Sequence, residues 1–324
     1  MKILIIQTAF IGDVILATPI IEKLNSFFPS AKIDFLLNDG NQEIFKDHPH
    51  ISKIHVWKKR KQKYRTLFKI LKSIRDERYD YVVNIHRFLS SGIITAFSKA
   101  KTTLGFKKNP LSFLFTKRIP HNINKGTHET ERNLKLIENL TDNKFVNPKL
   151  YPSKYDFQFV EEYKTNKYIC IAPNSIWFTK QLPSRKWIQL INNLDKDITI
   201  YLVGAENDAI RCNKIITNCK NSNVKNLCGK LSILQSAALL KDAEMNYGND
   251  SALIHIASSI NAPITAIFCS TITDFGFGPL STNSTILETK KELKCRPCGL
   301  HGLIKCPKGH FKCAEDIEIE NILL

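Results

Sequence analysis

Glycine and proline are scarce in this 324-residue sequence, with 13 of each, which excludes a collagen-like or low-complexity chain. The glycine signatures of two large nucleotide-binding classes are missing too. No G-x-G-x-x-G follows a predicted strand and no G-x-x-x-x-G-K-[ST] occurs, which argues against a dehydrogenase and against a P-loop NTPase. Long apolar runs are absent: Val14–Ile21 and Ile260–Cys269 are the longest and carry polar interruptions, far short of the ~20 residues a membrane-spanning helix needs. The start, Met1-Lys2-Ile3-Leu4-Ile5-Ile6-Gln7, lacks the longer apolar core and small-residue cleavage site of a signal peptide. The expectation is a cytoplasmic protein. Acidic residues are outnumbered, 30 against 47 Lys and Arg, for a net charge of +17. Such a balance suits an anionic partner, whether nucleic acid, an acidic membrane face or a phosphorylated small molecule, and is equally the mark of a Lys-rich composition.

What is present reads as globular. Hydrophobic residues make up 43% and charged residues 24%, enough apolar content to offset chain entropy and exclude disorder as the main state. At roughly 100–200 residues per domain the length predicts two domains. Nine cysteines could suggest a disulfide scaffold, but the number is odd and five are scattered, at Cys170, Cys212, Cys219, Cys228 and Cys269. Scattered cysteines in a chain this long behave as small buried hydrophobes in a reducing compartment.

Short apolar runs alternate with helical patterns. Lys2–Thr8, Lys32–Leu37, Ile51–Trp57 and Tyr79–Ile85 read as strands, and Val14–Phe28, Lys58–Arg78, Ser90–Ser98 and His128–Leu140 as helices. Residues 141–157, with prolines at 148 and 152, interrupt the period and mark a boundary. The alternation restarts with strands Tyr168–Ala172, Ile198–Val203 and Ile264–Phe268 and helices Ser184–Leu194, Ala209–Asn218, Leu231–Leu240 and Ala252–Ile260. Alternation of this kind predicts parallel sheets covered on both faces. The expectation is an α/β chain of two Rossmann-like, doubly wound domains, 1–150 and 151–324, facing a cleft.

Chemistry-bearing residues gather after the predicted strands, where open α/β sheets bind ligands. Thr8-Ala9-Phe10-Ile11-Gly12-Asp13 follows the first strand; Asp13 there suits a ligand-facing carboxylate and equally a helix cap. Pro173-Asn174-Ser175 leads to Lys180, a set able to hold phosphate oxygens or to form a plain surface loop. Val203-Gly204-Ala205-Glu206 offers a carboxylate to ribose hydroxyls, or begins a helix. The most specific stretch is Gly248-Asn249-Asp250-Ser251-Ala252-Leu253-Ile254-His255. Asp250 and Ser251 stand at a predicted helix start, whose free N–H groups and dipole favour an anion such as pyrophosphate. His255 falls one turn in, able to reach the same ligand or to pack in the core.

These four segments, in this order, resemble glycosyltransferase family 9, the ADP-heptose:lipopolysaccharide heptosyltransferases. The resemblance spans nearly the whole chain and is carried above all by the Asn-Asp-Ser-x-Leu-x-His helix. It implies the GT-B fold and an inverting transfer of heptose from ADP-heptose to the inner core of a lipopolysaccharide precursor, with no metal or other cofactor needed for catalysis. It further implies that Asp13 is the general base, that Asn174, Ser175 and Lys180 contact the donor's phosphates and that Glu206 holds the ribose. Asp250, Ser251, Ala252 and Leu253 would line the donor site with His255 beside it. Family members often have Gly where this chain has Ala252. The partners implied are ADP-heptose and an anionic glycolipid acceptor, with peripheral contact at the inner face of the cytoplasmic membrane. The alternatives are a GT-B enzyme using another nucleotide sugar and, from a different class, a basic nucleic-acid-binding protein. Against the latter, the basic residues are spread out and lack interleaved aromatics, so no nucleic acid is expected.

Two further features remain. The densest positive run includes Lys58, Lys59, Arg60 and Lys61 on a predicted helix in the first domain, fit for an anionic acceptor or leaflet. The tail carries Cys295, Cys298, Cys306 and Cys313, a spacing suited to a structural zinc knuckle or to free thiols.

Overall fold

In the computed structural model, which describes residues 1–59, 63–123 and 126–319, the chain forms two units, Met1–Tyr151 and Pro152–Leu324. The first contains β1 (Lys2–Ile6), α1 (Ile11–Ile15), α2 (Thr18–Phe27), β2 (Lys32–Asn38), β3 (Lys53–Trp57), α3 (Lys63–Glu77), β4 (Tyr81–Asn84), α4 (Leu89–Ala96), β5 (Thr102–Phe106), β6 (Lys117–Ile119) and α5 (Glu129–Leu134). The second contains α6 (Lys154–Val160), β7 (Tyr168–Ala172), α7 (Ser184–Asn193), β8 (Thr199–Leu202), α8 (Ala209–Thr217), β9 (Val224–Asn226), α9 (Ile233–Lys241) and β10 (Met245–Asn249). It continues with α10 (Ala252–Ser259), β11 (Ile264–Phe268), β12 (Ser284–Glu288) and α11 (Lys312–Glu315).

Among the described residues each unit holds one six-stranded sheet, ordered β3-β2-β1-β4-β5-β6 in the first and β12-β11-β10-β7-β8-β9 in the second. Counted from its own first strand and read from the other edge, the second sheet has the order of the first. Every strand pairing is parallel. The strand order reverses between β1 and β4 in one sheet and between β7 and β10 in the other, and beyond the carboxyl ends of such strands a doubly wound fold opens a crevice. The sequence motifs fall there.

The central strands are apolar and covered on both faces, as parallel sheets require: β7, β10 and β11 are buried along their whole length. In the first unit Leu4, Ile6, Leu36, Trp57 and Val82 pack together; in the second Ile169, Ile171, Trp187, Leu190, Ile200 and Tyr247 do so. Trp57 and Trp187 are fully buried, and truncating either to Ala would cost about 3–5 kcal/mol.

The helix expected over Val14–Phe28 is two helices. The first ends at Ile15, and Thr18-Pro19 opens the second, because proline lacks the N–H that a continuing helix would need and suits a first turn. His128–Leu140 is helical only to Leu134, beyond which single turns follow. Residues 141–157 include the start of α6, capped by Ser153, whose hydroxyl accepts the Asp156 amide. The helix expected over Lys58–Arg78 begins at Lys63.

Candidate active site

In the first unit Asp13 lies on α1, in the segment that follows β1. Its Oδ2 accepts the Phe10 amide at 3.2 Å, so it does cap the helix, and the residue is partly exposed. Loss of solvent foremost, and then the Glu129 carboxylate, push its pKa up to about 6, against the opposing pull of the Phe10 amide and the Arg87 guanidinium. A carboxylate so tuned is a usable base near neutral pH. Around it stands a polar network that spacing in the sequence gave no reason to expect. Thr8 Oγ1 meets His86 Nδ1 at 3.1 Å, and burial, then Lys59 and Arg87, hold His86 down to about 3, as a neutral ring. Arg87 donates to the His121 ring at 2.9 Å, His121 Nε2 lies 3.0 Å from Glu129, and Arg132 pairs with Glu129 at 2.6 Å. His121, Glu129 and Arg132 are all buried. Buried charges persist only when bonded on several sides, and here the chain of contacts fixes Glu129 near Asp13.

In the second unit the loop after β7 carries Asn174, Ser175 and Lys180. Fully buried Asn249, at the end of β10, fastens it: its Oδ1 accepts the Leu182 amide at 2.9 Å and its Nδ2 donates to the Pro173 carbonyl at 2.8 Å. Lys180 Nζ then reaches Asp250 Oδ2 at 2.7 Å, and Thr271 Oγ1 donates to the same oxygen at 2.7 Å. Thr179 is held from behind by Ser270 Oγ at 2.9 Å and by the Leu303 amide at 2.7 Å. Gly302 sits at φ +75°, and a Cβ there would lie 3.1 Å from both Lys180 Cγ and Thr179 Oγ1. Phe311 stacks on Phe178 at 5.1 Å. The cysteine-bearing tail thus forms the floor beneath the lysine.

Asn174 departs from expectation. Its Oδ1 accepts from Arg211 at 3.2 Å and its Nδ2 faces the Asp208 carbonyl and Cys212 Sγ, both at 3.5 Å, so its side chain secures the loop instead of standing open to a phosphate. Ser175 contributes its carbonyl to Gln181 Nε2 at 2.6 Å. After β8, Asp208 caps the turn by accepting the Ala205 amide at 2.9 Å. Glu206 is left exposed, its carboxylate without a partner among the described residues. Gly229, at φ +75°, packs so closely that a Cβ would lie 2.8 Å from Glu206 Cα; only glycine allows that approach.

Ser251 is the extended N-cap of α10, with no side-chain cap bond, and Ala252 is its first helical residue. Their amides lack an intrahelical partner by position. Leu253 and His255 turn inward, the His255 ring edge-on to Phe277 at 6.5 Å, so they shape the helix more than they meet solvent.

Lys58 and Lys59 follow β3 and precede the helix. Lys59 Nζ lies over the Trp57 ring at 5.4 Å and the Phe88 ring at 6.0 Å. Arg60 and Lys61 lie outside the described residues. Among the described residues no three His, Cys, Asp or Glu side chains gather as metal ligands would, so the geometry lends the expected zinc knuckle no support. Cys295 Sγ lies 3.9 Å from His310 Nε2, while burial foremost and the neighbouring thiols push Cys313 up to about 12, which keeps it a protonated thiol. No helix among the described residues is long and apolar enough to cross a membrane.

Residues 67–301 match the family model of glycosyltransferase family 9 (heptosyltransferase). The chain is 27% identical over 280 residues to lipopolysaccharide heptosyltransferase 3 of Escherichia coli, covering 81% of this chain and 82% of that protein. Its fold is similar to that of a family 9 glycosyl transferase from Veillonella parvula, with a TM-score of 0.85 at 19% identity, covering 99% and 94% of the two chains. An Escherichia coli heptosyltransferase solved with ADP superposes with a TM-score of 0.72 at 19% identity, over 88% of this chain and 92% of that one. With two doubly wound α/β units, the motifs at their strand ends and a family match over most of its length, the chain belongs to glycosyltransferase family 9, the heptosyltransferases.

Proposed function

We propose that the chain transfers heptose from ADP-heptose to the inner core of a lipopolysaccharide precursor, with inversion at the anomeric carbon and without a metal ion. The observation that carries the reading is the Lys180–Asp250 pair at the amino end of α10, at the point where the second sheet reverses its strand order. A lysine beside free helix amides is suited to the diphosphate of a nucleotide sugar, and heptosyltransferase relatives make that sugar a heptose. In this reading the first unit receives the acceptor and the second the donor.

The acceptor hydroxyl is a poor nucleophile, and Asp13 takes its proton as the new C–O bond forms. The bond from the anomeric carbon to the diphosphate oxygen breaks in the same displacement, so the configuration inverts. ADP leaves with growing negative charge, which Lys180 and the amides of Ser251, Ala252 and Leu253 stabilise. No proton need reach the leaving group, so one carboxylate suffices where a glycoside hydrolase uses two. Ser175 joins Lys180 at the phosphates, Glu206 accepts the ribose hydroxyls, and Asp250 faces the donor once Lys180 turns to phosphate. Asn174 acts from the loop's inner side, and His255 supports the helix.

The acceptor in this reading is an anionic glycolipid, met at the inner face of the cytoplasmic membrane by a peripheral enzyme, with Lys58, Lys59, Arg60 and Lys61 as the attracting charges. No nucleic acid and no cofactor enter the reaction, and Cys295, Cys298, Cys306 and Cys313 serve the tail either as free thiols or around a structural zinc.

Thermal melts with ADP-heptose, other ADP sugars, UDP sugars and GDP sugars test the donor. A true donor at a hundred times its Kd adds about 2.7 kcal/mol of stability. Stabilisation by another nucleotide sugar and none by ADP-heptose would overturn the sugar assignment. The anomeric coupling of the product, read by NMR, tests inversion.

A further inference from the structure

Arg211, on α8, lies outside every motif singled out in the sequence, yet its guanidinium bonds to residues on both sides of Lys180 in the loop. Its Nε donates to Ser184 Oγ at 3.2 Å, one terminal nitrogen donates to Asn174 Oδ1 at 3.2 Å and also to Gln181 Oε1, and the other donates to the Leu182 carbonyl at 2.8 Å. Asn174 stands before Lys180, and Gln181, Leu182 and Ser184 stand after it, so one planar cation ties the two arms of the loop together. The loop spans α7's start and the end of β7 and has little regular structure of its own beyond a single turn at Phe178–Lys180. Asn249 joins Pro173 to Leu182 and Gln181 joins Ser175 across the loop, and Arg211 adds a charged tie that binds side chains of both arms at once. Guanidinium is the side chain suited to the task, since its donors diverge in a fixed fork while lysine offers a point charge. Arg211 does not face Asp250; the cation that does is Lys180.

We propose that Arg211 is a positioning residue for the donor: by holding both arms of the 174–184 loop it keeps the Lys180 ammonium where the diphosphate binds. The proposal rests on the reading of Lys180 as the phosphate contact. It assigns Arg211 no contact with substrate and no part in proton transfer. Loss of Arg211 therefore raises the donor KM, weakens ADP and leaves adenosine binding untouched, because the adenosine end is served by other residues.

The experiment is a double-mutant cycle read by titration with ADP and with adenosine. Lys180→Ala and Arg211→Gln are each expected to weaken ADP about tenfold, the scale of a lost charged hydrogen bond, and the double variant to be no weaker than Lys180→Ala alone. Arg211→Lys, which keeps the charge and loses the fork, should recover only part of the loss. In turnover, Arg211→Gln should raise the donor KM with kcat changed less than KM. If Arg211→Gln lowers the melting temperature below the assay range, Gln181→Ala, which removes one arm's contact, replaces it in the same cycle. Additive losses, or equal losses for ADP and adenosine, overturn the positioning role while leaving Lys180 in place. Lys180→Ala with ADP affinity intact overturns the phosphate reading, and the role of Arg211 falls with it.

Discussion

The two units share one strand order and set different side chains into it. In the first, the segment after β1 carries a carboxylate whose pKa is raised to about 6, beside the chain of contacts Arg87–His121–Glu129–Arg132, buried from His121 onward. In the second, the loop after β7 carries a lysine already paired to a carboxylate and secured by amides and one guanidinium. Topology decides where a crevice opens. The side chains set into that crevice decide whether it handles a proton or an anion.

The sharpest way to break this contrast is at Asp13. Asp13→Asn keeps the cap's shape and removes the proposed base, so turnover should fall by about 100-fold or more with ADP affinity nearly unchanged. Near-normal turnover would return Asp13 to its capping role alone. In the second unit the corresponding blow is structural. Asn249→Ala strands the Leu182 amide and the Pro173 carbonyl, at a cost of about 2–4 kcal/mol, read from urea titration. A loss below 0.5 kcal/mol, well under that range, would show that the loop does not depend on this staple.

A gentler probe is pH. With a base of pKa about 6, kcat/KM should fall tenfold per unit below that value and level off above it. Arg87 favours the ionised form of Asp13, so Arg87→Gln raises the pKa and moves the acid limb to higher pH, costing less than tenfold at pH 6. A limb that stays put would remove Arg87 from the tuning of Asp13. A separate probe concerns the basic segment. Changing Lys58, Lys59 and Arg60 to Ser should weaken binding to anionic vesicles at low salt, each charge contributing about 1 kcal/mol, with neutral vesicles unaffected. Binding unchanged by the substitutions would leave these cations as soluble surface.

Three of the four motifs were legible because each follows an apolar strand, and the fourth because it opens an apolar helix, information that local spacing carries. Central strand β10 was not legible. Its sequence Met-Asn-Tyr-Gly-Asn buries Asn246, whose amide is spent on the Leu240 and Pro263 carbonyls, so no apolar run announces it. Strands β6 and β9, three residues each and partly polar, and the exposed β12 were hidden for a similar reason. Arg211 and Glu129 escaped because their meaning lies in partners brought close by the fold. The cysteine spacing at the tail suggested a zinc ligand set, and among the described residues no such set is gathered.

The shared strand order also sets a clock. The first strand of each sheet is its middle strand, and its inner neighbour arrives late: Ile3 pairs with Tyr81, and Ile169 with Met245, each roughly eighty residues apart. Closing so wide a loop is slow, and parallel sheets delay it further. During synthesis β1 must wait, one edge unpaired, until β4 has emerged from the ribosome, and β7 waits likewise for β10. These joints, the widest in sequence within each sheet, are the ones whose ends carry Asp13 and His86 in one unit and Lys180 and Asp250 in the other. Each half therefore brings these residues together only once its widest loop has closed, and a chain stalled before that step presents bare strand edges with Asp13 apart from His86 and Lys180 apart from Asp250.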